Sequence, residues 1–242
     1  MGCDIKIVDH IGSGSYGDVY TIDINHRIYA MKIVHYEPWE INEVKVMEAI
    51  RSLIDKKITD NFTYIVDWGM CNSIPGIESR DLLYIIMKKA DTDLLSFMDD
   101  DIRHIVKYIV FQLIYGLLCG IHHLCLDIGD IKLTNILVKE SNIDREYWIG
   151  AFSYTVPAHV PIIMYSDFGL SHIGSCNPMD IKALYDMIEI IYDDMGMNRD
   201  DEYIQMARSL LELDDTGDIF HLPYFDILKR KSRDIHRTYR FL

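Results

Sequence analysis

Asp130, Lys132 and Asn135 stand two and five positions apart in Leu126-Asp127-Ile128-Gly129-Asp130-Ile131-Lys132-Leu133-Thr134-Asn135-Ile136-Leu137-Val138. Apolar residues flank all three. A loop of this make can aim a carboxylate, an ammonium and an amide at one point. That set suits transfer of a phosphoryl group from a metal-bound nucleotide. The carboxylate orients a hydroxyl, the ammonium neutralises phosphate charge, and the amide oxygen holds a cation. Alone, D-x-K-x-x-N is a weak motif. Two other stretches carry compatible chemistry. Gly12-Ser13-Gly14-Ser15-Tyr16-Gly17 spaces three glycines as G-x-G-x-x-G, which lets a backbone turn approach phosphates closely. Asp167-Phe168-Gly169 offers a second carboxylate, although Asp and Gly also make plain turns.

The elements around these residues follow from periodicity. Ile5 to Val8 reads as a strand. Val19, Tyr20, Ile22 and Ile24 are β-formers, so the glycines lie between two strands. A dinucleotide-binding unit would run from the glycines into a helix instead. Arg27 to Val34 is a further strand with Lys32 inside it. Lys32 reads either as a solvated charge on an edge strand or as a directed one. Glu40 to Ile54 reads as a helix with Ile41, Val44, Met47, Ile50 and Ile54 on one face. Glu43 lies near that face, within reach of Lys32 or in solvent. Tyr64 to Trp68 and Leu82 to Met87 read as strands. Asp91 to Asp93 breaks the pattern, and a long apolar helix runs from Ile102 to about Leu124. Lys139 to Met164 reads as irregular, with Pro157 and Pro161. Helices return over Met179 to Met195 and Asp200 to Leu213.

With 49% apolar residues in 242, the chain can bury a large core. Its net charge of −14 repels nucleic-acid phosphates and tolerates a basic partner. Cysteines at 3, 71, 119, 125 and 176 form no repeated pair, which fits a reducing, intracellular compartment. Cys119, His122, His123 and Cys125 could hold a metal, but an apolar helix there makes a buried cysteine the simpler reading. The apolar run Tyr108 to Ile121 contains Gln112 and is too short to span a bilayer. Met1-Gly2-Cys3 is similar to a myristoylation start. Lys6 stands where Ser or Thr belongs, so no stable membrane anchor is expected. The basic stretch of Lys229, Arg230, Lys231, Arg233, Arg237 and Arg240 reads as a surface helix, or else as a docking patch.

Glycine-rich turn, strand lysine, helix glutamate, D-x-K-x-x-N loop and D-F-G occur in one order. That order resembles the eukaryotic-type Ser/Thr protein kinases, over nearly all of residues 5–195. The resemblance implies an α+β, bilobal fold: a β-rich N-lobe to about residue 87, a hinge at 88–93, and a helical C-lobe over 94–242. It implies an enzyme that transfers the γ-phosphoryl group of ATP to protein hydroxyls with Mg²⁺, or Mn²⁺ in its place. Gly12, Gly14 and Gly17 would cover the phosphates, with Ile11, Ser13, Ser15 and Tyr16 in the same nucleotide-binding turn. Val19 and Ala30 would roof the adenine and Leu137 would floor it. Lys32 would hold the α- and β-phosphates and pair with Glu43. Met87 would be the gatekeeper, and Lys88 to Ala90 the hinge. Asp130 would be the catalytic base, Lys132 would contact the γ-phosphate, and Asn135 and Asp167 would bind the metal. Met47, Ile128 and Phe168 would stack as a spine anchored by Asp180.

Three departures qualify the resemblance. The family's H-R-D is Ile128-Gly129-Asp130, so the arginine that reads a phosphorylated activation segment is absent. A glycine before the aspartate is similar to the casein-kinase-like and vaccinia-related kinases. Asp167 to Asp180 spans 13 positions with no A-P-E after it, a short segment similar to that of Rio-type kinases. Asn135 to Asp167 spans 32 positions, which marks residues about 140–164 as an insertion. Such a compact form is similar to kinases of large DNA viruses, acting in the host cytoplasm or virion. Two other readings share parts of the pattern. A nucleotide-binding pseudokinase would use the fold for interaction. A small-molecule phosphotransferase would keep the Asp and Asn but generally lacks Lys132 and Gly169.

Overall fold

The computed structural model describes residues 6–14, 17–74, 77, 81–150, 152–174, 179–198 and 202–212. The chain is mixed α+β. It opens with strands β1 (Lys6–Gly14), β2 (Gly17–Ile24) and β3 (Arg27–His35), then helix α1 (Ile41–Asp55). Strands β4 (Ile65–Cys71) and β5 (Leu82–Lys88) complete an antiparallel sheet in the order β1-β2-β3-β5-β4. The first strand runs through the first two glycines, six residues beyond the expected Val8. At Gly17, φ is +123° and a Cβ would lie 2.4 Å from the Ile33 carbonyl, so only glycine fits where β2 begins.

In β3 the side chains alternate between the faces of the sheet. Met31 and Ile33 enter a small cluster with Ile22, Cys71, Ile74, Leu82 and Ile86. Ala30, Lys32 and Val34 take the other face, toward α1. Strand β3 is central, bonded to β2 and β5, so Lys32 does not stand on an edge strand; only 7% of it is exposed. Helix α1 buries Glu43, Val44, Val46, Met47, Ile50 and Leu53. Positions 43, 46, 47, 50 and 53 share one face at helical spacing, which carries Glu43 inward with the apolar residues.

After β5 come β6 (Thr92–Asp93), α2 (Leu94–Phe97) and α3 (Val106–Leu124), which starts four residues later than Ile102. Helix α3 is buried on nearly every side, as its all-round apolar sequence requires. It ends at Cys125, whose left-handed φ of 45° lets its N–H bond back to the Gly120 and Ile121 carbonyls. The remaining elements are β7 (Leu126–Asp127), β8 (Ile136–Lys139), β9 (Arg145–Ile149), β10 (Phe152–Val156), β11 (Ile162–Tyr165), β12 (His172–Ile173), α4 (Met179–Asp194) and α5 (Glu202–Arg208). The last helix gives way to a 3₁₀ turn at Ser209–Glu212 rather than running from 200 to 213. No helix among the described residues is long and apolar enough to cross a membrane. The amino-terminal Gly2, Ser15, Tyr16 and the basic stretch 229–240 lie outside the described residues.

The stretch 140–164 is not irregular, as its prolines imply; it contains the hairpin of β9 and β10 and the strand β11, which pairs with β8. Two kinds of contact fasten it to α3. Phe111 meets Tyr154 at 4.3 Å and Tyr147 at 5.2 Å between ring centroids. Gln112, fully buried, accepts from Asn61 Nδ2, Tyr147 Oη and the Ile163 N–H, and donates to the Pro161 carbonyl. The one polar residue of that helical run is thus a satisfied core group. Phe111→Ala removes the ring on which the hairpin rests and is expected to cost about 3–5 kcal/mol. Denaturant unfolding measures it. A loss near zero would show that the hairpin is an appendage rather than part of the core.

Candidate functional site

Sheet, α1 and the segment after β11 meet at Lys32. Its Nζ donates to Glu43 Oε1 and Oε2 at 2.9 and 2.8 Å and to Asp167 Oδ1 at 2.9 Å. Burial opposes the charge, but the two carboxylates outweigh it and hold the ammonium above the ordinary lysine value. Burial also pushes the Glu43 carboxyl up, against the pull of Lys32. With both carboxylates ionised, the Lys32 contribution to stability is present below pH 10.5 and is lost as pH rises through its higher folded value.

A cleft of about 450 Å³ opens beside this trio. Ile11, Gly12, Ser13, Gly17 and Val19 line it from β1 and β2, and Ala30 and Lys32 from β3. Glu43 and Met47 face it from α1; Met87, Lys88 and Ala90 edge it at the end of β5; Leu137, Asn135 and Asp167 close the far side. Asp91, Thr92 and Asp93, from the expected hinge at 88–93, also line the cleft, as do Thr63 and Thr134, which were not singled out from sequence. Asp91 holds Lys139 Nζ at 2.6 Å and the Glu140 N–H at 2.7 Å, which draws the post-β5 segment onto β8.

Asp130 and Lys132 lie outside the lining, joined to it through Asn135. Asp130 Oδ2 accepts from Lys132 Nζ at 2.6 Å and Asn135 Nδ2 at 2.9 Å. The Asn135 carbonyl accepts both the N–H and the Oγ of Ser166. This sets the next residue, Asp167, which adopts a left-handed φ of 59°. A non-glycine residue held there is usually over-determined by its surroundings. Since Asn135 gives its Nδ2 to Asp130, its amide oxygen faces the other way. Asp167 engages Lys32 through Oδ1 alone among the described residues. The two side chains thus offer hard oxygen donors of the kind Mg²⁺ takes, with water or phosphate supplying the remainder.

Asp180, at the start of α4, reaches back to this loop. Its Oδ2 accepts the Ile128 N–H at 2.6 Å and its Oδ1 the Gly129 N–H at 3.1 Å. Met47, Ile128 and Phe168 are all buried in the one large core cluster. Cys119 has no exposure, while His122 and His123 are exposed. Burial pushes the Cys119 thiol up to about 12, so the four residues at 119–125 do not form one ligand set. Among the described residues no group of three or more His, Cys, Asp or Glu is placed to hold a metal.

The burial of Lys32 rules out the solvated edge-strand charge that was one of its two readings, and it changes what removal of the side chain does. Glu43 is 2% exposed, so Lys32→Met leaves a buried carboxylate with its cation gone. The expected loss is about 3–5 kcal/mol. Adding Glu43→Leu should restore much of it, because the stranded charge then leaves as well. Denaturant melts of the two single variants and the double check this; additive losses would sink it.

No model of a known protein family matches this chain, and no curated protein matches it; the site stands on its own residues.

Proposed function

We propose that this chain is a Ser/Thr protein kinase, transferring the γ-phosphoryl group of Mg-ATP to hydroxyls of a protein substrate. The observation that carries the reading is the Lys32 ammonium, bonded to Glu43 and Asp167 on the wall of a cleft that also holds Ala30, Met87 and Leu137. In this reading the five-stranded sheet and α1 make the N-terminal lobe. Residues 88–93 are the hinge, and the helices that follow make the C-terminal lobe.

Each side chain then has a task its surroundings support. Lys32, held charged, grips the inner phosphates. Gly12, Ser13 and Gly17, which line the cleft, would bring backbone close to them. Asp130 takes the proton of the incoming hydroxyl, its carboxylate aimed by Asn135 and Lys132. Lys132, bonded to Asp130 and with half its side chain exposed, would contact the transferring group. Mg²⁺ held by the oxygens of Asn135 and Asp167 would supply charge neutralisation at the outer phosphates. Net charge −14 favours a basic substrate protein over nucleic acid.

Regulation should differ from that of kinases controlled on the activation segment. Gly129 offers no cation to a phosphate. Ser166 and Ser171 are buried, so neither hydroxyl is open to modification in the folded state. Ser175 lies outside the described residues.

The assay is incorporation of labelled phosphate from Mg-ATP into the protein itself and into basic and acidic protein substrates. Asp130→Ala is expected to lower the rate by about 10²–10⁴-fold, the usual contribution of a positioned base. Incorporation that is absent in the wild type, with nucleotide binding intact, would turn the reading to a nucleotide-binding interaction module. A separate outcome concerns control. Phosphatase treatment, with the serines verified as unmodified by mass, should leave the initial rate unchanged. A rate that collapses and then recovers on rephosphorylation of Ser175 defeats that expectation.

A further inference from the structure

Ser171 sits where three parts of the site meet. It follows Asp167 by four residues and has no exposure. Its Oγ donates to the Ile128 carbonyl at 2.7 Å. Its own carbonyl accepts from Asn42 Nδ2 at 2.8 Å. Asn42 is the residue before Glu43 on α1, and Ile128 lies two residues before Asp130. One serine thus ties the helix that positions Lys32 to the loop that carries Asp130, from within the segment that carries Asp167.

The rest of that segment is fixed by bonds of the same constitutive kind. Strand β12 pairs with β7, and the Gly174 N–H bonds to the Leu124 and Cys125 carbonyls. At Gly129, φ is +78° and a Cβ would lie 2.8 Å from the Leu170 carbonyl. Loop and segment are therefore in direct contact where the family has its phosphate-reading arginine. No side chain fits between them. The contact that a phosphate and a cation would otherwise make is already made by backbone carbonyls and two neutral donors.

We propose that Asn42 and Ser171 are positioning residues that lock α1 and the Asp130 loop into the phosphoryl-transfer arrangement without a phosphate. This rests on the kinase reading above. Neither residue lines the cleft. Their loss should therefore displace Lys32 and Asp167 relative to Asp130 while leaving the adenine-facing walls in place. A displacement of an ångström at reacting groups costs on the order of 10²-fold in rate.

The test uses the full chain carrying Asn42→Asp, which keeps the size of the side chain but cannot donate to the Ser171 carbonyl when ionised. Steady-state kinetics with Mg-ATP are combined with amide hydrogen exchange. The expected result is a fall in kcat of about tenfold or more, a KM for ATP within about twofold of wild type, and faster exchange in 168–174 as well as in the first turn of α1. Adding Ser171→Ala should lower kcat less than the two single effects multiplied, since both act through one node. Wild-type kcat together with wild-type exchange in Asn42→Asp overturns the proposal. So does a parallel loss of kcat, ATP binding and melting temperature, which marks a merely structural residue. A wild-type protein that transfers no phosphate defeats the kinase reading instead, and the exchange arm then decides by itself whether Asn42 couples α1 to the segment.

Discussion

The buried ammonium of Lys32 constrains everything near it. A lysine this deep in a sheet is costly unless carboxylates meet it. Here they come from two elements remote in sequence: Glu43 on α1 and Asp167 after β11. Helix α1 must therefore lie close against β3, and the segment after β11 must cross the opening between them. The cleft is the space left when those three elements converge on one charge.

The far side of the cleft is fixed largely by bonds to backbone carbonyls and N–H groups. The Asn135 carbonyl receives Ser166, Asp180 receives the N–H groups of Ile128 and Gly129, and Ser171 bonds to the Ile128 carbonyl. Burial pushes the Asp180 carboxyl up, against the two N–H groups that favour its charge. Such short, directional bonds hold a loop more tightly than exposed salt bridges do. They leave Asp130 partly open beside the cleft.

The hairpin of β9 and β10 extends the core rather than the site. Tyr147 meets Phe111 edge-on and Tyr154 meets it at a tilt, and Tyr147 joins the buried network of Asn61 and Gln112. The hairpin braces α3, the helix that leads into the Asp130 loop. Burial holds the phenols of Tyr115 and Tyr147 well above their ordinary value, so these rings serve as neutral packing and hydrogen-bonding groups.

Much of this was legible in the sequence. The alternation around Lys32, the helical spacing that turns Glu43 inward, and the offsets among Asp130, Lys132 and Asn135 are local patterns, and local periodicity survives without tertiary knowledge. The first five strands and the main helices followed from the same signal, with ends displaced by a few residues where a turn or bulge decides them; the short strands after α3 did not. The hairpin at 145–156 was hidden by Pro157 and Pro161 just after it and by aromatic residues whose partners lie on α3. Whether Lys32 is buried was undecidable locally, because it depends on β3 being central, and strand order is a long-range property. The Asn42–Ser171 bond carries no sequence signature at all. It joins residues 129 positions apart, and only the folding of α1 over the Asp167 segment brings that amide to that carbonyl.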